Sequence, residues 1–308
     1  MENKYNLITI LGHTAAGKTI FATELAYKLD AEIISGDSRQ VYKNMDIGTG
    51  KDLSEYFING KEIPYHLIDI LPAGQKYNVY EFQKDFFRVF KEITDKGKLP
   101  VMCGGTGMYI ESVLNSYKLI HVPKDEDLRA KLENYDIQAL EKVLKSYKNP
   151  HNRSDLDTKK RAIRAIEIQE YYKNSGEINP DYPEINSLNI GVKYDREIRR
   201  QRITERLKYR LENGMTEEAE MLLKQNVSFE DMEYYGLEYK YLAWYLSEKI
   251  DYKTMFEKLN TAIHQFAKRQ MTWFRKMEKN GHIIHWINTE KSVEENINEI
   301  LKIHSRNL

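Results

Sequence analysis

The stretch GHTAAGKT, from Gly12 to Thr19, carries the residue types that hold phosphate groups. It matches the pattern Gly-x4-Gly-Lys-Thr and lies between an apolar run and a segment with helical spacing. The glycines let backbone N–H groups converge on an anion, and the following helix adds its positive N-terminal end. Lys18 supplies a charge for phosphate oxygens, and the Thr19 hydroxyl can bind Mg²⁺. The loop therefore predicts phosphate binding, but it does not identify the phosphate compound.

The second candidate for chemistry is Asp37, in the stretch SGDSRQVY. It follows the second apolar run, so in a βαβ unit it lies beside the phosphate loop. Three roles are open: a Mg²⁺ ligand, a general base for an acceptor group, or the N-cap of a helix that starts at Ser38. The apolar run at 99–103 ends in Cys103 and Gly104 rather than in an acid, which disfavours an ordinary ATPase.

The elements that must position these residues alternate in type. Apolar runs at 5–11, 31–35 and 99–103 are typical of buried parallel strands, and helical spacing covers 19–29 and 80–95. This alternation predicts an α/β fold whose parallel strands are joined by right-handed crossovers. Ligands bind at the carboxyl ends of such strands, where the phosphate loop and the first acid lie.

The composition changes twice along the chain. Residues 1–117 and 190–308 are predicted to form a P-loop NTPase-like core with a parallel sheet and a helical C-terminal part. Residues 118–189 are rich in charge and tyrosine, which predicts a helical insertion domain. In the second part of the core, NIGVKY at 189–194 and HIIHWIN at 282–288 have strand-like composition.

The bulk composition excludes several classes of protein. The 308 residues include 47 basic and 47 acidic side chains, so nucleic-acid binding must use local patches rather than a uniform field. The single cysteine excludes a disulfide scaffold and a multi-cysteine zinc site. We find no signal-peptide pattern and no apolar stretch of about 18 residues. The expectation is a cytoplasmic monomer that does not enter a membrane.

Five segments together resemble the tRNA dimethylallyltransferases, also called tRNA isopentenyltransferases. In order, they are GHTAAGKT, DSRQVYKNMDIGTGK, IPYHLIDI, GGTGMYI and AKRQMTWFR. DSRQVY with MDIGT and GGTGMY is far more specific than a phosphate loop alone. That family transfers a dimethylallyl group from its diphosphate to N6 of the adenosine just 3′ of the anticodon. The resemblance implies a P-loop core with a helical insertion and a channel that donor and base enter from opposite ends.

The resemblance implies roles on the donor side. Lys18 and Thr19 are expected to take part in catalysis by stabilising the leaving diphosphate, with Mg²⁺ as cofactor on Thr19. Asp37 matches the catalytic aspartate of the family and is expected to accept a proton from the N6 amine. The residues expected to bind the donor diphosphate are Gly12, Thr14, Ala15, Ala16, Gly17, Lys18 and Thr19.

The resemblance also implies contacts with the anticodon stem-loop of tRNA, including contacts from the helical insertion domain at 118–189. The target base must leave its stack, and basic or aromatic segments must hold the loop around it. Taken alone, such basic stripes are more often solvated helix faces. The residues expected to bind tRNA are Asp37, Ser38, Arg39, Gln40, Thr106, Lys160, Arg161, Arg164, Gln265, Lys268, Arg269 and Gln270.

This sequence departs from the family pattern at several positions. His13 and Ala16 replace a proline and a serine of the phosphate loop, and both substitutions are compatible with its backbone curl. Glu233 and His264 stand where the family usually has arginines, the first expected near the donor diphosphate. Losing positive charge there is expected to weaken donor binding unless another cation substitutes. The candidates for that cation are Lys240 and Arg275.

Three other functions remain open from the sequence. A small-molecule kinase would place ATP in the loop and use Asp37 as base toward a hydroxyl, but it would not need the long second half. A related enzyme could prenylate free adenine nucleotide without an RNA-binding region. A P-loop protein that binds RNA without turnover is the non-enzymatic alternative.

Overall fold

The computed structural model describes residues 5–147, 153–175 and 181–306. The chain forms two compact units: Met1–Tyr117 with Pro183–Leu308, and Lys118–Tyr182. Residues 183–189, which the sequence assigns to the insertion, therefore belong to the first unit. The reason is a strand that begins at Ser187, three residues before the predicted boundary. The strand predicted at 189–194 therefore begins two residues earlier than expected, and the Ser187 hydroxyl lies 2.8 Å from that of Thr9.

Eight strands and twelve α-helices are found among the described residues. The strands are β1 (Leu7–Gly12), β2 (Glu32–Ser35), β3 (Phe57–Ile58), β4 (Lys61–Glu62), β5 (Tyr65–His66), β6 (Pro100–Gly104), β7 (Ser187–Val192) and β8 (Ile284–Trp286). The helices are α1 (Lys18–Leu29), α2 (Val79–Asp95), α3 (Gly107–Leu114), α4 (Glu126–Leu132), α5 (Ile137–Tyr147), α6 (Lys159–Ser175), α7 (Arg196–Glu212), α8 (Met215–Lys224), α9 (Phe229–Tyr234), α10 (Leu237–Leu246), α11 (Tyr252–Lys279) and α12 (Val293–Ser305).

The first unit is built on a six-stranded sheet in the order β5-β2-β6-β1-β7-β8. Every strand pair in it is parallel, which confirms the predicted α/β class. The central strands β1 and β6 are buried along their whole length, as their continuous apolar composition requires. Their carboxyl ends bring Gly12 and Gly104 to one edge of the sheet, and Ser35 of β2 ends at the same edge.

Helices cover this sheet through apolar faces. In α1, Phe21, Ala22 and Leu25 are buried against the strands, and Ile297 and Ile300 of α12 join the same core. Neither α12 nor the short strands β3–β5 were predicted individually; each of these strands has only two residues, too few to form a recognisable apolar run. Helix α2 begins at a capping box, in which Asn78 and Glu81 bind each other's backbone N–H groups.

The second unit has a core of its own. Helices α5 and α6 pack together there, and α4 contributes Leu132. The buried residues are Leu132, Leu140, Leu144, Ala162, Ile163 and Ile166. Their spacing on α5 and α6 follows the helical repeat, which explains why this unit is helical.

One of the three roles open for Asp37 is excluded. No helix starts at Ser38, so Asp37 is not an N-cap. Its Oδ1 atom instead accepts a hydrogen bond from the Arg39 N–H at 2.9 Å, which closes a tight turn after β2. Within the described residues, the helices are all too short or too polar to cross a bilayer.

Candidate active site

The phosphate loop lies between β1 and α1, as its motif predicts. Gly17 adopts a left-handed conformation with φ of 74° immediately before α1, where a side chain would be strained. The Lys18 ammonium donates a hydrogen bond to the His13 carbonyl at 3.0 Å and is folded back over the loop. This curl brings the loop and the first turn of α1 around one side of a cavity.

The cavity has a volume of about 450 Å³ and is bordered by four parts of the first unit. One wall is the phosphate loop from Thr14 to Thr19, and a second is helix α7. A third wall carries acids that follow β2, and the fourth is formed by β6 and α11. The charged residues lining it are Lys18, Asp37, Asp52, Glu55, Arg202, Glu205 and Arg206.

Two arginines of α7 face the phosphate loop. Arg202 donates from Nε to the Ala15 carbonyl at 3.1 Å, and Arg206 donates to the Thr14 hydroxyl. They are four residues apart, so they lie on one face of the helix. Burial, with the nearby Arg210, lowers the pKa of Arg206, and burial also lowers the pKa of Lys18. Lys18 and Arg206 are half-buried and donate here to a carbonyl and a hydroxyl, which are neutral, so an anionic ligand between them is favoured.

The acids of the cavity lie on the wall next to these cations. Burial raises the pKa of Glu55, and the neighbouring Asp52 raises it further, while a hydrogen bond from Thr19 opposes the change. Hydroxyl and carboxylate oxygens are the ligands that Mg²⁺ prefers. Among the described residues no group of three or more His, Cys, Asp or Glu could hold a metal by itself. This donor set therefore fits a magnesium ion that shares its coordination with phosphate oxygens and water.

A carboxylate of α8 fixes the loop on the far wall of the cavity. Glu218 accepts hydrogen bonds from the N–H groups of Asp46, Ile47 and Gly48 at 2.7, 2.8 and 2.9 Å. The loop continues to Gly50, whose carbonyl accepts a hydrogen bond from Gln40 at 3.1 Å. The amide of Gln40 is thereby held at the cavity wall.

Gln270 of α11 connects the two glycine-containing loops of the site. Its Oε1 accepts the Thr14 N–H at 2.8 Å, and its Nε2 donates to the Gly105 carbonyl at 2.8 Å. A Cβ atom at Gly105 would come within 2.4 Å of that nitrogen, so only glycine allows the contact. Gln270 is buried, and its amide is used by both loops.

Cys103 lines the cavity beside Lys18 but is not an active nucleophile. Burial raises the pKa of its thiol to about 12, and the nearby Lys18 only partly opposes this. The thiol is therefore protonated at neutral pH, and nucleophilic catalysis needs the thiolate. The arrangement of the cavity instead suits a reaction without a covalent enzyme intermediate.

Comparison with known proteins agrees with this geometry. A sequence model of the family described as IPP transferase matches residues 40–277 of the chain. This chain belongs to the IPP transferase family.

Relatives are similar along nearly the whole length. The chain is 54% identical over 305 residues to tRNA dimethylallyltransferase 2 of Phocaeicola vulgatus, with 99% of each protein covered. It is 55% identical over 304 residues to tRNA dimethylallyltransferase 1 of Parabacteroides distasonis, again with 99% of each covered. The crystal structure of the tRNA isopentenylpyrophosphate transferase from Bacillus halodurans superposes with a TM-score of 0.71, at 31% identity, covering 99% of this chain and 98% of that one.

The structure brings together the predicted residues that follow β2 and β6. The Ser38 N–H donates to the Thr106 hydroxyl at 3.3 Å, which joins the turn after Asp37 to the loop that opens α3. The Arg39 guanidinium lies 5.0 Å from the ring centre of Tyr234. Asp37 and Gln40 line the cavity together with the predicted donor residues Thr14, Ala15, Ala16, Gly17, Lys18 and Thr19. Gly12 ends β1 just before them.

The predicted tRNA residues on α11 fall on two faces of that helix. Gln265, Lys268 and Arg269 are exposed, whereas Gln270 is buried between the two loops. The side chain of Gln270 thus has a structural role that its sequence position did not reveal.

The three predicted tRNA residues on α6 belong to the second unit. Lys160 and Arg161 are exposed, and Arg161 pairs with Asp157 at 3.0 Å. Arg164 is engaged by Glu167 and by the carbonyls of Val122 and Pro123. Its guanidinium therefore supports the local fold.

Glu233 and His264, which stand where the family pattern has arginines, do not line the cavity, and neither do Lys240 and Arg275. Glu233 is exposed and accepts a hydrogen bond from the Trp244 indole at 2.8 Å. His264 lies in a separate groove beside Thr204, at 3.2 Å from its hydroxyl. Lys240 stacks over Trp244, and Arg275 is exposed.

Arg202 and Arg206 were not predicted individually from the sequence. They supply the positive charge that was expected from Lys240 or Arg275. Their spacing at i and i+4 in a helix that follows a strand was the available signal. Nothing local to the sequence showed that this face turns toward the phosphate loop.

Proposed function

We propose that this protein transfers a dimethylallyl group from dimethylallyl diphosphate to N6 of the adenosine 3′ of the anticodon in tRNA and releases diphosphate. Its relatives in Phocaeicola vulgatus and Parabacteroides distasonis carry the name tRNA dimethylallyltransferase. The observation that carries the proposal is a single cavity that joins a cationic phosphate cradle to a carboxylate and an amide.

The diphosphate of the donor binds to the cationic side. Backbone N–H groups of the phosphate loop, Lys18, Arg202 and Arg206 neutralise the charge that grows as the C1–O bond breaks. These groups are fixed before the reaction, so little reorganisation is required at the moment of bond cleavage. The allylic carbon tolerates the positive character that develops on it.

The adenine binds to the opposite side, near Asp37 and Gln40. Its N6 lone pair forms a bond to C1 of the donor, and the N6 proton passes to the Asp37 carboxylate. The turn hydrogen bond from the Arg39 N–H holds that carboxylate at the cavity wall. General-base assistance of this kind is typically worth about 10²–10⁴-fold in rate.

We assign the Mg²⁺ site to the Thr19 hydroxyl, beside the cavity-lining carboxylates of Asp52 and Glu55, which leaves Asp37 to accept the proton. When bound, the ion neutralises phosphate charge and orients the leaving group. The residues of this chain supply the remaining cationic contacts and the proton acceptor.

Binding of tRNA is assigned to three groups of residues. Ser38, Arg39, Gln40 and Thr106 lie at or beside the acceptor wall, and Gln265, Lys268 and Arg269 form an exposed basic face of α11. Lys160 and Arg161 are exposed on the second unit, where they can neutralise backbone phosphates. We also propose that the enzyme works as a cytoplasmic monomer, to be tested by its molar mass in solution.

One assay tests the reaction against its alternatives. The protein is incubated with Mg²⁺, ¹⁴C-labelled dimethylallyl diphosphate and either unmodified tRNA or AMP, and the label is traced by chromatography of the nucleosides. Label in N6-dimethylallyl adenosine from tRNA supports the proposal. Label in AMP alone indicates a nucleotide prenyltransferase, and no transfer with retained tRNA binding indicates a protein without turnover. A parallel incubation with γ-labelled ATP detects kinase activity.

A further inference from the structure

His13 occupies a position in the phosphate loop where its side chain is completely buried. Its Nδ1 atom lies 2.7 Å from the Thr14 carbonyl, and its Nε2 atom accepts the Tyr194 N–H at 3.2 Å. Both ring nitrogens are therefore used, one within the loop and one across to the chain that follows β7. His13 itself does not line the cavity, so the proposed chemistry leaves its side chain without a role.

These two contacts define the state of the imidazole. A backbone N–H can only donate, so Nε2 carries no proton, and the proton of the neutral ring is on Nδ1. Burial lowers the pKa of His13 to about 4, and Lys18, Arg199 and Arg202 lower it as well, while the bond to Thr14 opposes them. The ring is neutral at physiological pH and keeps its acceptor toward Tyr194.

Tyr194 contacts both His13 and Arg202, so it links the phosphate loop to α7 beside the cavity. Arg202 lies 4.6 Å from the centre of the Tyr194 ring and donates to the Ala15 carbonyl at 3.1 Å. His13 and Ala15 thus hold the same segment, one through the backbone of Tyr194 and the other through Arg202. That segment leads directly into α7, which carries both arginines that face the phosphate loop.

We propose that His13 is a positioning residue that fixes the start of α7 against the phosphate loop and thereby sets the affinity for the donor diphosphate. The inference rests on the proposed function, because it assigns the diphosphate to this loop. A proline at this position, as in the resembling family, offers no side-chain acceptor to the Tyr194 N–H. In this chain the imidazole supplies that acceptor.

The state of the ring can be measured without any activity. Imidazole ¹⁵N chemical shifts of the full-length protein labelled at histidine are recorded at pH 7, and the His13 signals are assigned by their loss in His13→Gln. A protonated Nδ1 with an unprotonated Nε2 is the expected result. The opposite tautomer or a doubly protonated ring would overturn the proposal.

The effect on affinity is measured with inorganic diphosphate and Mg²⁺ by titration calorimetry. We expect His13→Ala and His13→Pro to weaken binding about fivefold, which corresponds to the loss of about one neutral hydrogen bond. His13→Gln should recover most of the affinity, because its Oε1 atom can accept the Tyr194 N–H. His282→Gln, the same change at a residue outside the cavity lining, is the matched control. Unchanged diphosphate affinity in a folded His13→Ala protein would overturn the proposal, even if its thermal stability fell.

A double-mutant cycle tests the connection to α7. Arg202→Met removes the other contact that holds this segment, so the effect of His13→Ala should be smaller in that background. Additive effects would show that the two contacts act independently and would refute the positioning role. If diphosphate did not bind the native protein at all, the proposed function itself would fail, which the imidazole spectrum distinguishes from failure of this inference.

Discussion

The cavity of the first unit and the charged cluster of the second unit use arginine in opposite ways. Around the phosphate loop, Arg202 and Arg206 donate to a carbonyl and a hydroxyl, so their charge has no carboxylate opposite it in these contacts. In the second unit, Arg129 and Arg164 both bind Glu167, which also accepts the Asp125 N–H.

The arginines of the cavity can therefore pair with an anionic ligand, whereas the arginines of the second unit are already paired with a carboxylate of the protein. Burial alone would raise the pKa of Glu167, but hydrogen bonds from Arg129, the Asp125 N–H and Arg164 lower it to about 2. That cluster is complete without any partner molecule. Substitutions in the cavity should therefore change activity, whereas substitutions in the cluster should change stability.

Among substitutions in the cavity, Asp37→Asn is expected to reduce activity most. The amide cannot accept the N6 proton, so kcat should fall by about 10²–10⁴-fold while tRNA affinity stays nearly constant. Single-turnover rates and filter binding of tRNA provide the two measurements. A variant that lost tRNA binding but kept its residual rate would make Asp37 a positioning residue instead.

Lys18→Met should produce the next largest loss. Removing one fixed cation from the leaving group should reduce kcat/KM for the donor by about 10²–10³-fold. The matched control is Arg164→Met, which removes a cation of the second unit and should leave the donor KM unchanged. Equal effects of both variants on the donor KM would contradict the separation of the two regions.

Arg206→Met should raise the donor KM by about tenfold, since a hydrogen bond to a charged group is lost. Glu233→Arg is the informative companion, because it restores the arginine that the family pattern expects there. We expect no change in donor KM from that variant, because Glu233 does not line the cavity. A clear fall in donor KM for Glu233→Arg would show that the diphosphate binds elsewhere.

Glu167→Gln should affect stability alone, by about 1–3 kcal/mol, because the partners of the buried carboxylate are left incompletely bonded. The folded pKa of about 2 lies below the usual value. This contribution is therefore complete above about pH 4.3 and is lost as pH falls through the folded value. Hydrogen exchange of the amides of Leu140 and Leu144 as a function of pH measures it. A pH dependence that persists in the variant would assign it to other groups.

Contiguous features of the site were predictable from the sequence, and features made by distant segments were not. The residues adjacent to the phosphate loop and to Asp37, together with the strand that precedes each, are enough to predict them. Arg206 meets Thr14 across 192 residues of sequence, so its role depends on how α7 packs. Gln270 was recognised as part of the site, but the two loops that it joins are 165 and 256 residues away.

The misplaced start of β7 and the excluded N-cap role of Asp37 have a similar cause. The first residue of β7 was missed because pairing with β1, rather than apolar composition, stabilises Ser187 there. Asp37 resembled an N-cap because its side chain does bind a nearby N–H group, but the chain turns instead of coiling. In both places the local preference was satisfied by a different tertiary arrangement.

The bridge made by Gln270 has a thermodynamic consequence for how the two proposed substrates affect each other's binding. The amide of Gln270 accepts the Thr14 N–H on the proposed donor side and donates to the Gly105 carbonyl on the proposed acceptor side. Displacement of either loop therefore disturbs the hydrogen bond that Gln270 makes with the other loop. Such linkage is reciprocal: if bound diphosphate strengthens the hold on the nucleoside by some factor, the nucleoside strengthens the hold on diphosphate by the same factor. Gln270 thus couples the binding free energies of the diphosphate and the nucleoside.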